Sequence, residues 1–173
     1  RKNMGRAARA PDFFDAFSQA IGIAIEREVD GVIHTGRLFQ SGIADRELIS
    51  ELQTELKRLQ DEGIPFYLVC GKKELELQPA LESLATSGLL TMIGGQTVDV
   101  SSALTLVGLD AGSDRIEASL DGHSEDTALV VSCAGRELTE PTNGAIQTIV
   151  ERLPTRPVAL LAGTQDSPVH ERS

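Results

Sequence analysis

Four stretches of this chain share one design: an apolar run reaches a glycine or alanine-glycine and then breaks into polar residues. They are VIHTGRLFQ (residues 32–40), YLVCGKKE (67–74), VVSCAGRE (130–137) and ALLAGTQD (159–166). Short apolar runs bounded by turn residues read as strands buried on both faces, the kind a mostly parallel sheet requires. In such sheets the loops leaving the strands are where chemistry is placed.

Between these strands the periodicity changes to that of helices. PDFFDAFSQAIGIAIEREVDG opens with Pro11 and the acidic Asp12 and Asp15, all favourable in a first turn. Phe13, Phe17, Ala20, Ile21 and Ala24 then recur at helical spacing. A second helix is expected in ADRELISELQTELKRLQDEG, with Leu48, Leu52, Leu56 and Leu59 on one face and Gly63 as its stop. LQPALESLATSG reads as a third helix. LLTMIGGQTVDVSSALTLVGLD reads as a meander of short strands, turning at Gly94-Gly95 and Ser101-Ser102. SDRIEASLDGHSED reads as a polar surface loop, and NGAIQTIVERLP as a helix that Asn143 caps. Strands that alternate with helices and then pair among themselves predict an α/β layered domain with a mixed sheet, over residues 1–173 as one unit.

Composition narrows the function. Aromatics are 3% with no tryptophan, which argues against a base-stacking platform. The formal charge of −10 argues against a broadly basic nucleic-acid surface while leaving room for a local basic patch. Cys70 and Cys133 form no CxxC and read as free buried thiols in a reducing cytoplasm. No apolar run approaches the roughly 18 residues of a membrane span, and no signal peptide is visible. The sequence starts at Arg1 rather than methionine, so residues are expected before it. Of the histidines, His34 reads as a core or rim residue within its strand, and His123 and His170 as surface residues. No nucleophile elbow or matched base marks a Ser-His-Asp or Cys-His hydrolase.

In order and spacing the four strand ends resemble the calcineurin-like metallophosphoesterase superfamily, whose matching loops read G-D-L-F, G-N-H-D or G-N-H-E, histidine-glycine, and G-H-x-H. The first helix with GRLF, followed by LKRLQDEGIPFYLVCG, resembles one branch more closely, the SbcD/Mre-type DNA double-strand-break-repair nucleases. The resemblance covers nearly the whole chain and is strongest over Pro11–Gly71. It implies a layered sandwich of mixed sheets flanked by helices. It also implies two divalent cations, usually manganese, about 3.5–4 Å apart, activating water for attack on a phosphodiester.

At each ligand position of that family the chain carries something else. The bridging aspartate aligns with Arg37 and the Asn-His pair with Lys72 and Lys73. The histidine-glycine motif falls on Ser132, Cys133 and Ala134, and G-H-x-H falls on Thr164 and Asp166. The family's first strand, with its Asp-x-His, is expected to be missing ahead of Arg1. Arginine and lysine offer no lone pair and repel a cation, so the expectation is a catalytically inactive, pseudoenzyme form of the fold. It would hold no metal, have lost the manganese, and act as a binding or scaffold subunit.

Two alternatives stand beside that reading. One is an active phosphoesterase or DNA exonuclease with relocated ligands. The other is a phosphate or nucleotide sensor in which Arg37, Lys72, Lys73, Cys133, Thr164 and Asp166 surround the anion. The cations are otherwise expected to pair with Glu74, Glu76 or Asp166. Expected partners are a second copy through the first two helices and a protein of DNA repair. DNA itself is an open question and no membrane is expected. The family's C-terminal extension, which binds an SMC-like ATPase, has no counterpart up to Ser173.

Overall fold

A computed structural model describes residues 10–39, 46–110, 126–134 and 159–165. In chain order the elements are α1 (Ala10–Glu26), β1 (Val32–His34), α2 (Arg46–Asp61), β2 (Phe66–Leu68), α3 (Lys72–Glu76), α4 (Gln78–Thr86) and β3 (Thr91–Met92). They are followed by β4 (Thr97–Asp99), β5 (Leu104–Leu109), β6 (Asp126–Ala134) and β7 (Ala159–Gln165). The helix expected after Asn143, His123 in its polar loop, Asp166 and His170 lie outside the described residues.

The strands form two sheets, β1-β2-β3, all parallel, and β4-β5-β6-β7, in which only the β4–β5 pair is antiparallel. The architecture is mixed α/β, as the alternation of periodicities predicts. The expected meander is corrected in one respect. β3 does not pair with β4; it lies parallel to β2, Tyr67 opposite Thr91 and Leu68 opposite Met92. A strand of two residues carries too little pattern to announce a partner more than twenty positions away. Lys72–Glu76, to which the sequence reading gave no element, forms the short helix α3.

β2 explains why both of its faces must be apolar. Alternate side chains of a strand point to opposite faces, and Phe66, Leu68 and Cys70 enter a core built with α1 and α2. That core contains Phe17, Ile21, Leu52, Leu56 and Leu59. Tyr67 and Val69 enter a second cluster with Ile93, which follows β3, and Leu106 of β5. Burying a leucine of this kind is worth about 1.5–3 kcal/mol relative to exposure.

The helix faces that looked wide enough for a partner are thus largely used at home. Phe17, Ile21, Leu52 and Leu56 are buried, and Phe14, Leu48 and Ile49 pack against them half-buried. Ile23, on α1, is the large apolar side chain that stays most exposed among the described residues, at 57%. α2 ends as its glycine predicts: Gly63 takes φ +73°, and the N–H of Ile64 donates to the Leu59 carbonyl at 2.9 Å.

The two sheets meet at glycine. Gly108 of β5 forms an isolated bridge with Gly94, its N–H donates to the Gln96 carbonyl and its carbonyl accepts from Gly95. A Cβ on Gly108 would lie 2.1 Å from the Ile93 carbonyl oxygen, so the approach admits no side chain.

Candidate functional site

The C-terminal ends of β1 and β2 lie side by side in one sheet, and those of β5, β6 and β7 in the other. β1 runs out through Thr35, Gly36 and Arg37, and β2 through Cys70, Gly71, Lys72 and Lys73. β5 runs out at Asp110. On β6 and β7 the register puts Ser132 opposite Gly163 and Cys133 opposite Thr164, so two of the residues singled out from the sequence are backbone neighbours. At these strand ends one bond crosses from sheet to sheet: the Cys70 N–H donates to Asp110 Oδ1 at 2.6 Å.

Arg37 is exposed and has left-handed backbone, φ +63°, directly after Gly36 at φ +91°. An arginine in this region is conformationally strained, and such residues concentrate at functional loops. The turn is anchored by the next two side chains, Leu38 and Phe39, which are 1% and 2% exposed. Lys72 is exposed at the start of α3, and Lys73 pairs with Glu76 across one turn at 3.0 Å.

Glu74 behaves differently from the partner expected for the cations. It is fully buried, and its Oε1 accepts the Phe39 backbone N–H at 3.0 Å, reaching from the β2 exit to the β1 exit. Of the ion pairs expected around Arg37, Lys72 and Lys73, the Lys73–Glu76 pair is present. Glu74 Oε2 and His34 Nδ1 are both buried with no hydrogen-bond partner among the described residues.

His34 lies between two rings. Phe66 stacks on it at a centroid distance of 6.1 Å and Phe17 meets it edge-on at 6.4 Å. Burial lowers its pKa, and the Glu74 carboxylate opposes that shift. The reading of His34 as a core or rim residue fits this geometry.

Burial pushes the Cys70 thiol up to about 12, with the charges of Asp110 and Glu74 adding to it, so this sulfur is no nucleophile at neutral pH. Asp110 is itself raised by burial, against a lowering from the Cys70 N–H. Among the described residues no three His, Cys, Asp or Glu side chains gather as a metal-binding group. No helix among them is long and apolar enough to cross a membrane.

Glu74 and Asp110 are the two site residues that sequence reasoning missed. Glu74 was visible only as a possible ion-pair partner. Asp110 ends LTLVGLD, an apolar run that passes a glycine one residue earlier than the other four, and this offset hid it among the meander's turns.

Among proteins of known role, the Mre11 DNA double-strand break repair protein of Sulfurisphaera tokodaii is 46% identical over 63 residues, 36% of this chain and 16% of that protein. The Mre11 protein of Thermoplasma acidophilum is 34% identical over 86 residues, covering 50% and 22%. The Haloferax volcanii protein is 29% identical over 129 residues, covering 72% and 29%. Over these stretches the chain is similar to Mre11 proteins of the Mre11/SbcD metallophosphoesterase family.

The match spans less than a third of the length of each of these Mre11 relatives. No family model matches the chain. A solved crystal structure 12% identical aligns over 87% of this chain and 79% of its own, with a TM-score of 0.53, a likeness of fold alone.

Proposed function

We propose that this chain is a Mre11-related domain that has given up two-metal phosphodiester chemistry and serves a DNA-repair assembly by binding. The observation that carries the reading is the charge at the strand-end edge. Arg37, Lys72 and Lys73 stand at the β1 and β2 exits, on the positions the resemblance assigns to the bridging aspartate and the Asn-His pair.

These donors do not fit a manganese pair. Guanidinium and ammonium groups have no lone pair for a cation and repel it. Among the described residues no three His, Cys, Asp or Glu side chains gather to replace the lost ligands. A layered metallophosphoesterase-type sandwich over residues 1–173 is the fold this reading assumes, and a reducing cytoplasm its setting.

Manganese content decides between inactivity and a relocated centre. After dialysis against manganese and removal of free ion, far less than one manganese per chain is expected, together with no cleavage of linear duplex DNA. Stoichiometric metal with nuclease activity would overturn the proposal and favour relocated ligands.

A second reading has its own support in the same three cations: they hold a phosphate oxyanion, as a sensor or as a DNA contact, without cleaving it. Affinity for a short duplex across a salt series tests it, because phosphate contacts give a log–log salt slope of about −0.9 per neutralised charge. No binding at the lowest salt sinks it.

We also propose a second copy as partner through the α1 side, on the strength of the 57% exposure of Ile23. Sedimentation of Ile23→Glu against wild type tests this, with a dimer in wild type and a monomer in the variant expected.

A further inference from the structure

Two carboxylates at the strand-end edge are spent in an unusual way. Glu74 is fully buried, although it sits two residues past Lys72 in a five-residue helix whose other charged side chains are wholly or partly exposed. Asp110, half-buried, directly follows β5. Each takes a backbone N–H distant in sequence: Glu74 that of Phe39, 35 residues away, and Asp110 that of Cys70, 40 residues away. The two N–H groups belong to the two loops that carry the cations, Phe39 following Arg37 by two residues and Cys70 preceding Lys72 by two. A buried carboxylate is tolerated only where its hydrogen bonds compensate for lost water. Charge-assisted bonds of this kind are shorter and stronger than neutral ones.

We infer that Glu74 and Asp110 are positioning residues that hold the Arg37 turn and the Lys72–Lys73 segment together at one sheet edge, through the backbone N–H groups of Phe39 and Cys70. The anion-binding role of that edge rests on the second reading above, whereas the positioning itself is independent of it. Each acid crosses between elements, Glu74 from the β2 exit to the β1 exit and Asp110 from one sheet to the other. Removing one is therefore expected to loosen one loop and spare the other.

The test is the amide spectrum of the isotopically labelled chain. In Glu74→Ala the Phe39 amide is expected to exchange at least tenfold faster while Cys70 keeps its protection, and Asp110→Ala is expected to do the reverse. Glu74→Gln and Asp110→Asn keep an acceptor of the same shape without its charge. They are expected to restore protection but move the Phe39 or Cys70 amide proton upfield, as the weaker neutral acceptor requires. Unchanged exchange in the alanine variants overturns the inference. Should those variants fail to fold, an unmoved amide proton shift in Glu74→Gln or Asp110→Asn overturns it instead.

Titrating the same samples with inorganic phosphate separates the two ideas. No phosphate-induced shifts in wild type would remove the anion reading and leave the amide results standing. Wild-type binding undiminished in both alanine variants would mean that the edge does not depend on these acids, which also overturns the inference.

Discussion

A side chain at Gly94 and the carboxylate of Asp110 exclude each other: a Cβ built on Gly94 lies 1.9 Å from Asp110 Oδ2. The glycine after β3 is therefore a condition for the acid that bridges the sheets. Gly94→Ala is expected to destabilise the fold by about 1–3 kcal/mol, the usual cost of overpacking. In a double-mutant cycle with Asp110→Ala the two losses should fall short of adding, because cutting the side chain back to Cβ removes the clashing Cγ and carboxylate oxygens. Strict additivity in urea midpoints would show that the two residues are not coupled.

Leu56 and Ile23 make a matched contrast on the two first helices. Leu56 is fully buried between α2 and the sheet, and Ile23 is 57% exposed. Leu56→Ala should cost about 2–5 kcal/mol and Ile23→Ala within about 0.5 kcal/mol, read from chemical denaturation of dilute protein. A large loss at Ile23 under those conditions would mean that its face is covered.

The helical half of this architecture was legible because its information is local. Leu52, Leu56 and Leu59 repeat at the spacing of one helix face, and Gly63 supplies the left-handed cap that stops it. β2 could be read from its unbroken apolar run. What the sequence hid was every feature settled by a distant partner. β3 joined the wrong strand set because two residues cannot advertise a register. Glu74 looked like a surface acid among lysines, since the Phe39 N–H that draws it inward is 35 positions away. Asp110 was concealed in the same way by Cys70. The cations, by contrast, were found from the strand-end pattern together with the family resemblance it carries, and the structure brings Arg37, Lys72 and Lys73 to the exits of adjacent strands.

Acid should weaken this protein partly through His34. Its folded pKa lies below the ordinary value of 6.5, chiefly because burial disfavours the imidazolium. As pH falls below 6.5 the unfolded chain takes up a proton that the folded chain refuses, so stability drops until the lowered folded value is passed. Urea midpoints at pH 7.5 and 5 should differ more for wild type than for His34→Phe. An equal drop in both would assign the acid sensitivity elsewhere.

Cys70 should be inert while the chain is folded. With Cys133 replaced by serine, a thiol reagent at pH 8 is expected to label the native protein at the rate of global unfolding and the denatured protein at once. This follows from a fully buried sulfur whose pKa is pushed up to about 12. Rapid native labelling would contradict the burial.

The left-handed turn at Arg37 sets its backbone and its side chain against each other. At φ +63° a residue with a Cβ carries a penalty of about 1–2 kcal/mol that glycine escapes and asparagine or aspartate partly offsets. Judged by main-chain comfort alone, arginine is a poor tenant for this position. Any advantage of arginine must come from its guanidinium, and aspartate would sit in this turn at a smaller conformational cost.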